Sequence, residues 1–321
     1  MLCKERTLKL GSVEIKTPIL LPSISSRSVL GINLASFIEE IGPFYDGPLL
    51  VSAYDYDLLK ESDMDFPSVL FLDSGGYECI DNCVCLDFKT VREHSKENWN
   101  RSRHASVLNL WNVNVPTVAI SYDNPNETLE IKEQICLADL LFEKTNSSFK
   151  EILFKPGPNN KIISVNEIIE NRDSFERYDV LGFTEKELGN SVEECMESIR
   201  QIRISMDDVG IDIPIHVFGN LDPVTTPLYF FAGADIFDGL SWLRFIFDDE
   251  ELKYMDGSGS KMFGISKNRC EIFYRSVQHN LRYLRNLEQR MRGFAVSKDP
   301  SLFEKNRSFF EKTICSHERV A

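Results

Sequence analysis

Val69-Leu70-Phe71-Leu72-Asp73-Ser74-Gly75-Gly76-Tyr77 sets four consecutive apolar residues against a polar, glycine-rich turn. A short run that is apolar at every position reads as a parallel strand covered on both faces, because a strand with one wet face alternates. Similar runs occur near Pro18–Pro22, Leu49–Ala53, Val118–Tyr122, Ile152–Lys155, Val180–Phe183, Ile215–Phe218 and Asp235–Phe237. Helical patterns lie between them at Leu34–Ile41, Thr90–Leu110, Thr128–Phe142, Val165–Asn171, Val192–Met206 and Pro223–Ala232. Eight strands, each followed by a helix or loop, predict an α/β fold of the (β/α)8 TIM-barrel type. A doubly wound open sheet also alternates strand and helix. The barrel is favoured by the strand count and by polar residues that end run after run: Ser23, Asp73, Asp123, Lys155, Thr184, Asn220 and Asp238. A barrel gathers such ends at one mouth. Neither Gly-x-Gly-x-x-Gly nor Gly-x-x-x-x-Gly-Lys-[Ser/Thr] occurs, which removes the main support for a nucleotide-cofactor sheet.

No linker-like stretch divides the chain, so residues 1–321 read as one barrel domain. Asn268–Arg292 and Pro300–Ile314 read as a long and a shorter helix packed outside the barrel, making 257–321 a basic helical C-terminal extension. With 42% apolar and 27% charged residues the chain is globular, and no stretch nears the ~20 apolar residues of a membrane helix. The charged start, Met1–Arg6, has no apolar segment behind it, so no signal peptide is expected. Eight cysteines in this length read as reduced thiols, and a cytoplasmic protein is expected.

The net charge of −14 argues against a protein that coats nucleic acid. Yet Gly257–Phe294 holds eight basic residues and two acids, leaving the rest of the chain at −20. Lys267, Arg269, Arg282 and Arg285 in this segment, with Arg244 before it, are the candidate phosphate contacts. A solvated helix face is the plainer explanation, since Arg282, Arg285 and Arg292 recur at helical spacing. The acidity of the remainder favours contact with nucleic acid: one basic face on an acidic body orients a polyanion.

Asp73, Asp123 and Asp238 each follow an apolar run. Taken singly, Asp73 could cap a helix and Asp123 could form a turn before Pro125. Converging at one mouth, three carboxylates suit chemistry at a sugar anomeric carbon. One attacks and holds a glycosyl intermediate, a second moves protons, and a third accepts from a purine edge. Cys79, Cys83 and Cys85, with His94 beyond, have enough ligands for zinc but no recognised zinc spacing, so reduced loop cysteines are expected and no metal or cofactor. Trp242 and Phe218 could touch a base or fill the core, and His279 reads as a capping or packing residue.

Along most of its length the chain resembles the tRNA-guanine transglycosylase superfamily. Ser12–Pro22 is similar to that family's opening hairpin and first barrel strand, and Asp73-Ser74-Gly75-Gly76-Tyr77 to its Asp-Ser-Gly-Gly-[Phe/Tyr] signature. Tyr122-Asp123 stands where the family has Phe-Asp, and His216–Pro223 resembles its seventh-strand glycine loop. Gly233-Ala234-Asp235-Ile236-Phe237-Asp238 resembles Gly-[Val/Ile]-Asp-Met-Phe-Asp, and His279–Leu284 its C-terminal helix. The resemblance implies exchange of guanine in a polynucleotide for a 7-deazaguanine base. It implies Asp238 as the nucleophile at C1′ and Asp73 as general acid/base. It also implies a base pocket of Ser74, Gly75, Gly76, Tyr77, Asp123, Lys155, Gly182 and Phe183.

The chain departs from the family in several places. Lys155-Pro156-Gly157 replaces a glutamine-glycine block, and Ser241-Trp242-Leu243-Arg244 keeps only the arginine of Pro-Thr-Arg. The loop around Gly182–Gly189 is longer. The C-terminal Cys-x-Cys-x-x-Cys…His zinc site is absent, with Cys270 the one cysteine between Asp238 and His279. These losses favour DNA over tRNA and point to the 7-deazaguanine DNA transglycosylases, with a helper protein or a homodimer to supply missing contacts. A tRNA-acting enzyme, a non-catalytic positioning subunit and a barrel enzyme acting on a small nucleoside are the alternatives. Retention of both Asp73 and Asp238 argues against the subunit.

Overall fold

Gly11, at φ 65°, reverses strand β1 (Thr7–Leu10) into β2 (Val13–Lys16), an antiparallel hairpin that drives Leu8 and Leu10 inward. The computed structural model describes residues 1–27, 33–59, 64–79, 99–123, 127–145 and 147–318. Eight parallel strands follow the hairpin: β3 (Ile19–Ile24), β4 (Leu49–Ser52), β5 (Leu70–Asp73), β6 (Thr117–Ile120), β7 (Phe149–Phe154), β8 (Val180–Thr184), β9 (Ile215–Phe218) and β10 (Ile236–Gly239). Each pairs with the next, and β10 pairs with β3, so the sheet closes into the barrel predicted from the sequence.

Strand parity sorts the core into two bodies. Ile19, Leu21, Leu50, Phe71, Ile120, Leu153 and Ile236 point into the barrel, where the hairpin's Leu8 and Leu10 join them. Leu20, Val51, Leu72, Phe154, Phe183, Val217 and Phe237 face outward under the helices. The covering helices are α1 (Leu34–Ile41), α2 (Ala53–Leu59), α3 (Arg101–Leu110), α4 (Ile131–Lys144), α5 (Val165–Glu170), α6 (Glu185–Leu188), α7 (Val192–Asp208) and α8 (Thr225–Ala232). Side-chain caps at Asn33, Asn100, Ser164 and Ser191 satisfy amides at the starts of α1, α3, α5 and α7.

Beyond β10, a 3-10 turn (Ser241–Leu243) leads into a hairpin of β11 (Phe245–Asp248) and β12 (Glu251–Tyr254), then α9 (Met255–Phe263) and the 29-residue α10 (Arg269–Ser297). Asn280 fastens α10 to this segment: it accepts from Phe247 N at 2.8 Å and donates to the carbonyls of Trp242 and Phe245, each at 2.7 Å. Farther along, Glu288 accepts from Leu20 N at 3.1 Å, so the helix lies along the seam flank of β3. The final helix, α11 (Arg307–Glu318), follows a 3-10 segment. Phe303 and Phe310 dock there on Phe231 and, through Phe303, on Phe294, which ties the C-terminal helices into the barrel's own core.

The sequence placed α3 at Thr90–Leu110; the described helix begins at Arg101, and residues 80–98 lie outside the described residues. Helices α2, α6 and α9 and the β11–β12 hairpin have no counterpart among the sequence-based expectations. Each is short, and Asp249 and Glu250 make the hairpin turn at positive φ without the glycine that would have announced it.

Candidate functional site

Parity decides which strand-end residues meet. On β10, Ile236 and Asp238 point inward, so Asp238 crowns the barrel. Asp235, three residues earlier, lies at the opposite end. There it accepts from Arg6 Nη1 at 2.7 Å, Arg203 Nη2 at 2.6 Å and Ile215 N at 2.9 Å, a buried network that locks the base of the barrel. Of the two acids in Asp-Ile-Phe-Asp, one is structural and one is placed at the mouth.

Asp238 is 6% exposed, and both its oxygens are engaged. Oδ2 accepts from Ser23 Oγ at 2.5 Å and Oδ1 from Gly219 N at 2.9 Å. Below it, His216 Nε2 lies 3.5 Å from Oδ1, while His216 Nδ1 is 2.8 Å from Glu151 Oε1. Burial works against the His216 charge, but Glu151 and Asp238 outweigh it and raise its pKa to about 9.

Asp73 ends β5 within electrostatic reach of Asp238. Burial, then the charges of Asp123 and Asp238, push its pKa up to about 7 against the backbone amides of Gly75 and Ser74. Its Oδ2 accepts from Gly75 N at 3.2 Å. The double glycine that follows answers two separate demands. Gly75 sits at φ 88° with the place of a side chain taken by Tyr54 and Trp99. A Cβ on Gly76 would fall 2.6 Å from the Asp123 carboxylate oxygens. Ser74 Oγ donates to Asp123 Oδ1 and accepts from Gly76 N at 3.2 Å, while Trp99 Nε1 holds the Ser74 carbonyl at 2.9 Å. The Asp-Ser-Gly-Gly turn is thus shaped around Asp123.

Lys155 closes this side. Its Nζ is 2.8 Å from Glu187 Oε2, 3.1 Å from Thr184 Oγ1 and 3.8 Å from Asp123 Oδ2. Burial opposes its charge, but Asp123 and Glu187 prevail and its pKa is raised. A small cleft beside Asp123 is lined by Arg101, Tyr122, Gln134 and Lys155. At the rim, Arg244 Nη2 donates to Tyr77 OH at 3.0 Å, and Arg27 stands 5.1 Å over the Tyr77 ring.

Asp73, Ser74, Gly75, Gly76, Tyr77, Asp123, Lys155, Asp238 and Arg244 therefore come together. Two expected pocket residues do not belong with them. Phe183 faces outward, fully buried against Phe154, so its side chain is turned away from the mouth. Gly182 lies inside the barrel, where a Cβ would collide with the Phe218 ring and Glu151 Oε1; it leaves room for that pair and forms no pocket wall. Phe218 stacks on His216 at 3.9 Å on the inward face of β9, and Trp242 is a packing residue, buried with Nε1 bonded to Ser23 O at 2.9 Å. His279 bonds the Phe247 carbonyl at 2.6 Å, the packing role expected of it. Cys83, Cys85 and His94 lie outside the described residues.

The basic segment splits by position. Arg285 pairs with Asp46 and Arg292 donates to the carbonyl of Lys16 at 2.7 Å, both before the strand starts and so at the base of the barrel, away from Asp238. The half of α10 before Asn280 lies toward Trp242 and the mouth, with Arg269 and Arg275 exposed. Lys267 there pairs with Glu271 at 3.0 Å, and Arg269 with Asp256 at 3.6 Å. Arg282 is exposed between the two halves.

Sequence reading missed His216 and Glu151 as a pair, and Glu78 and Asp55 near the mouth. Glu78 is buried, accepts from Ser25 Oγ at 2.5 Å, and is held well above the ordinary carboxylate range by burial and by Asp55 and Asp73. Glu151 could have been found by parity: Glu151, Leu153 and Lys155 share the inward face of β7, once the strand is started early enough to include it. No protein-family model matches this chain, and no curated protein matches it.

Proposed function

We propose that this protein is a transglycosylase that exchanges guanine in a polynucleotide, DNA in preference to tRNA, for a 7-deazaguanine base. The carrying observation is a division of labour between two carboxyls at one mouth. Asp238 is held from both sides by Ser23 and Gly219, with His216 beneath, while Asp73 sits near pKa 7. Two carboxyls with environments this different suit a nucleophile and a proton carrier.

The proposed steps use that geometry. Asp238 attacks C1′ of the nucleotide, the C1′–N9 bond breaks with its electron pair leaving on guanine, and protonated Asp73 supplies the proton that neutralises the departing base. A glycosyl ester on Asp238 remains. The incoming 7-deazaguanine gives its N9 proton back to Asp73, N9 attacks C1′ from the vacated face, and the ester C–O bond breaks to restore the Asp238 carboxylate. Protons balance over the cycle, and two displacements retain configuration.

Asp123 is an acceptor for the N1–H and 2-amino donors of a guanine edge, and Lys155 a donor toward O6 in place of a glutamine. Tyr77, with Arg27 and Arg244 on it, stands where a base drawn from its stack would enter. The changed Ser241-Trp242-Leu243-Arg244 block and the missing cysteine-histidine module support DNA rather than an anticodon loop.

Radiolabelled guanine offered with duplex DNA, tRNA and free guanosine or deoxyguanosine tests this reading. Incorporation into DNA is expected. Label in tRNA alone would reverse the preference, label in nucleoside alone would make this a nucleoside enzyme, and no label in any would remove the exchange.

A further inference from the structure

His216 and Glu151 are fully buried on the inward faces of β9 and β7, one layer below the mouth. Taking a charged pair out of water is costly, and replacing such a pair by apolar residues is often neutral or stabilising. The barrel interior around it is otherwise apolar: Phe71 meets the imidazole edge-on at 5.8 Å and Phe218 stacks on its other side. Gly182 gives up its side chain where Glu151 and Phe218 need the space. These features together describe a built site with a direction. Glu151 Oε1 holds Nδ1 at 2.8 Å, which aims Nε2 upward at Asp238 Oδ1, 3.5 Å away.

We infer that the His216–Glu151 pair is a positioning device that sets a fixed cation under Asp238 and keeps that carboxylate aimed at the mouth. The groups facing the imidazole are Glu151 from β7 and Asp238 from β10, with Phe71 and Phe218 supplying no charge. Asp238 itself faces Ser23, Gly219 N and His216, and, across the mouth, Asp73. Two anions flank one buried ring, so the imidazolium is the favoured form at neutral pH, in line with its pKa near 9. In the first half-reaction the cation fixes the direction of the Asp238 carboxylate. It stabilises the carboxylate that must leave again when the glycosyl ester opens, so the second half-reaction draws on it most.

The test has two arms, and only the second rests on the exchange reading. Side-chain 15N spectra of the intact protein, titrated from pH 5 to 10 with His216→Gln to assign the signal, should show one ring still doubly protonated at pH 7.5. Glu151→Gln should turn that ring neutral at the same pH. In exchange assays Glu151→Gln should lose about tenfold or more in kcat with little change in KM, and its alkaline limb should move to lower pH. Glu151→Asp should recover part of kcat. A neutral His216 in the wild-type protein at pH 7.5, which needs no variant to fold, would overturn the proposal. So would a Glu151→Gln protein with unchanged kcat. A wild-type protein that exchanges no base yet keeps the charged ring would fail the exchange reading and leave the buried cation standing.

Discussion

Ser23 Oγ donates to Asp238 Oδ2 at 2.5 Å across the seam where β3 and β10 close the barrel. The two residues are separated by most of the chain, yet the Asp238 carboxylate is complete only when the last strand has docked on the first. Site assembly and barrel closure are therefore one event, and the side chains at the seam serve both.

Ser23→Ala removes one of the two hydrogen bonds that hold Asp238 and leaves a buried anion short of a donor. Losing a buried bond to a charged group is expected to lower stability by about 1.5–3 kcal/mol. Exchange should fall about tenfold or more, since the proposed nucleophile is no longer fixed in direction. Thermal melting alongside single-turnover exchange measures both. Full activity with a lowered Tm would assign Ser23 to the seam alone.

Asp238→Asn keeps the size of the side chain but removes the carboxylate that attacks in the proposed mechanism. The expected result is loss of both exchange and any covalent species on a denaturing gel, with the fold retained by circular dichroism. Wild-type exchange in this variant would remove Asp238 from its role and with it the two-displacement mechanism.

How much of this was legible in the sequence depends on which physical signal each residue leaves. The eight strands are apolar on both faces, so the closed barrel could be read from runs such as Val180–Phe183. The mouth acids follow such runs and were found for that reason. Phe183 misled because a run buried on both faces hides its parity: its neighbours look alike whether they point in or out. His216 and Glu151 were hidden by a different fact. They come from strands far apart in sequence, and only closure of the barrel brings them to 2.8 Å. The basic charge of residues 257–294 was visible, but not that α10 runs from the mouth to the base and puts Arg285 and Arg292 at the wrong end for a ligand over Asp238.

That division makes a paired prediction. Arg269→Glu with Arg275→Glu should weaken polynucleotide binding and lower the salt slope by about one for each phosphate no longer neutralised. Arg285→Glu with Arg292→Glu should instead lower stability, because Asp46 and the Lys16 carbonyl are left without their arginine partners, with the salt slope unchanged. Binding isotherms at several salt concentrations decide it. Equal effects from the two pairs would mean that the nucleic acid runs along the whole helix.

Gly76→Ala tests the shape of the base pocket. The added Cβ falls 2.6 Å from the Asp123 oxygens, so either Asp123 or the turn must shift. If Asp123 accepts from the purine edge, a shift that breaks its bond from Ser74 should raise KM for the incoming base by about tenfold or more and lower kcat less. Exchange kinetics over a range of base concentrations measure it, and an unchanged KM would place base recognition elsewhere.

Asp73 links the chemistry to stability, and the sign can be worked out. Its folded pKa, about 7, lies above the ordinary 3.8, because burial and the charges of Asp123 and Asp238 disfavour the anion. Below pH 3.8 the group is protonated in both states and contributes no difference. Between pH 3.8 and 7 the unfolded chain binds fewer protons than the folded one, so this group makes stability fall as pH rises, and the loss is complete above pH 7. Asp73→Asn removes the titration and keeps an oxygen to accept from Gly75 N. The variant is expected to be more stable than wild type at pH 8 by about 1–3 kcal/mol, with the gain shrinking toward pH 4. In the proposed mechanism the same change takes away the group that receives the N9 proton of the incoming base. The second half-reaction should therefore slow more than the first, and a protein–nucleic-acid species that survives denaturing electrophoresis should accumulate when no 7-deazaguanine can complete the exchange. Denaturant unfolding at pH 4, 6 and 8 measures the stability difference, and gel analysis after incubation with the polynucleotide measures the adduct. A variant less stable than wild type at pH 8 would show that Asp73 is held by favourable contacts instead of strained by its neighbours, and would take from it the role of a proton carrier poised near neutrality.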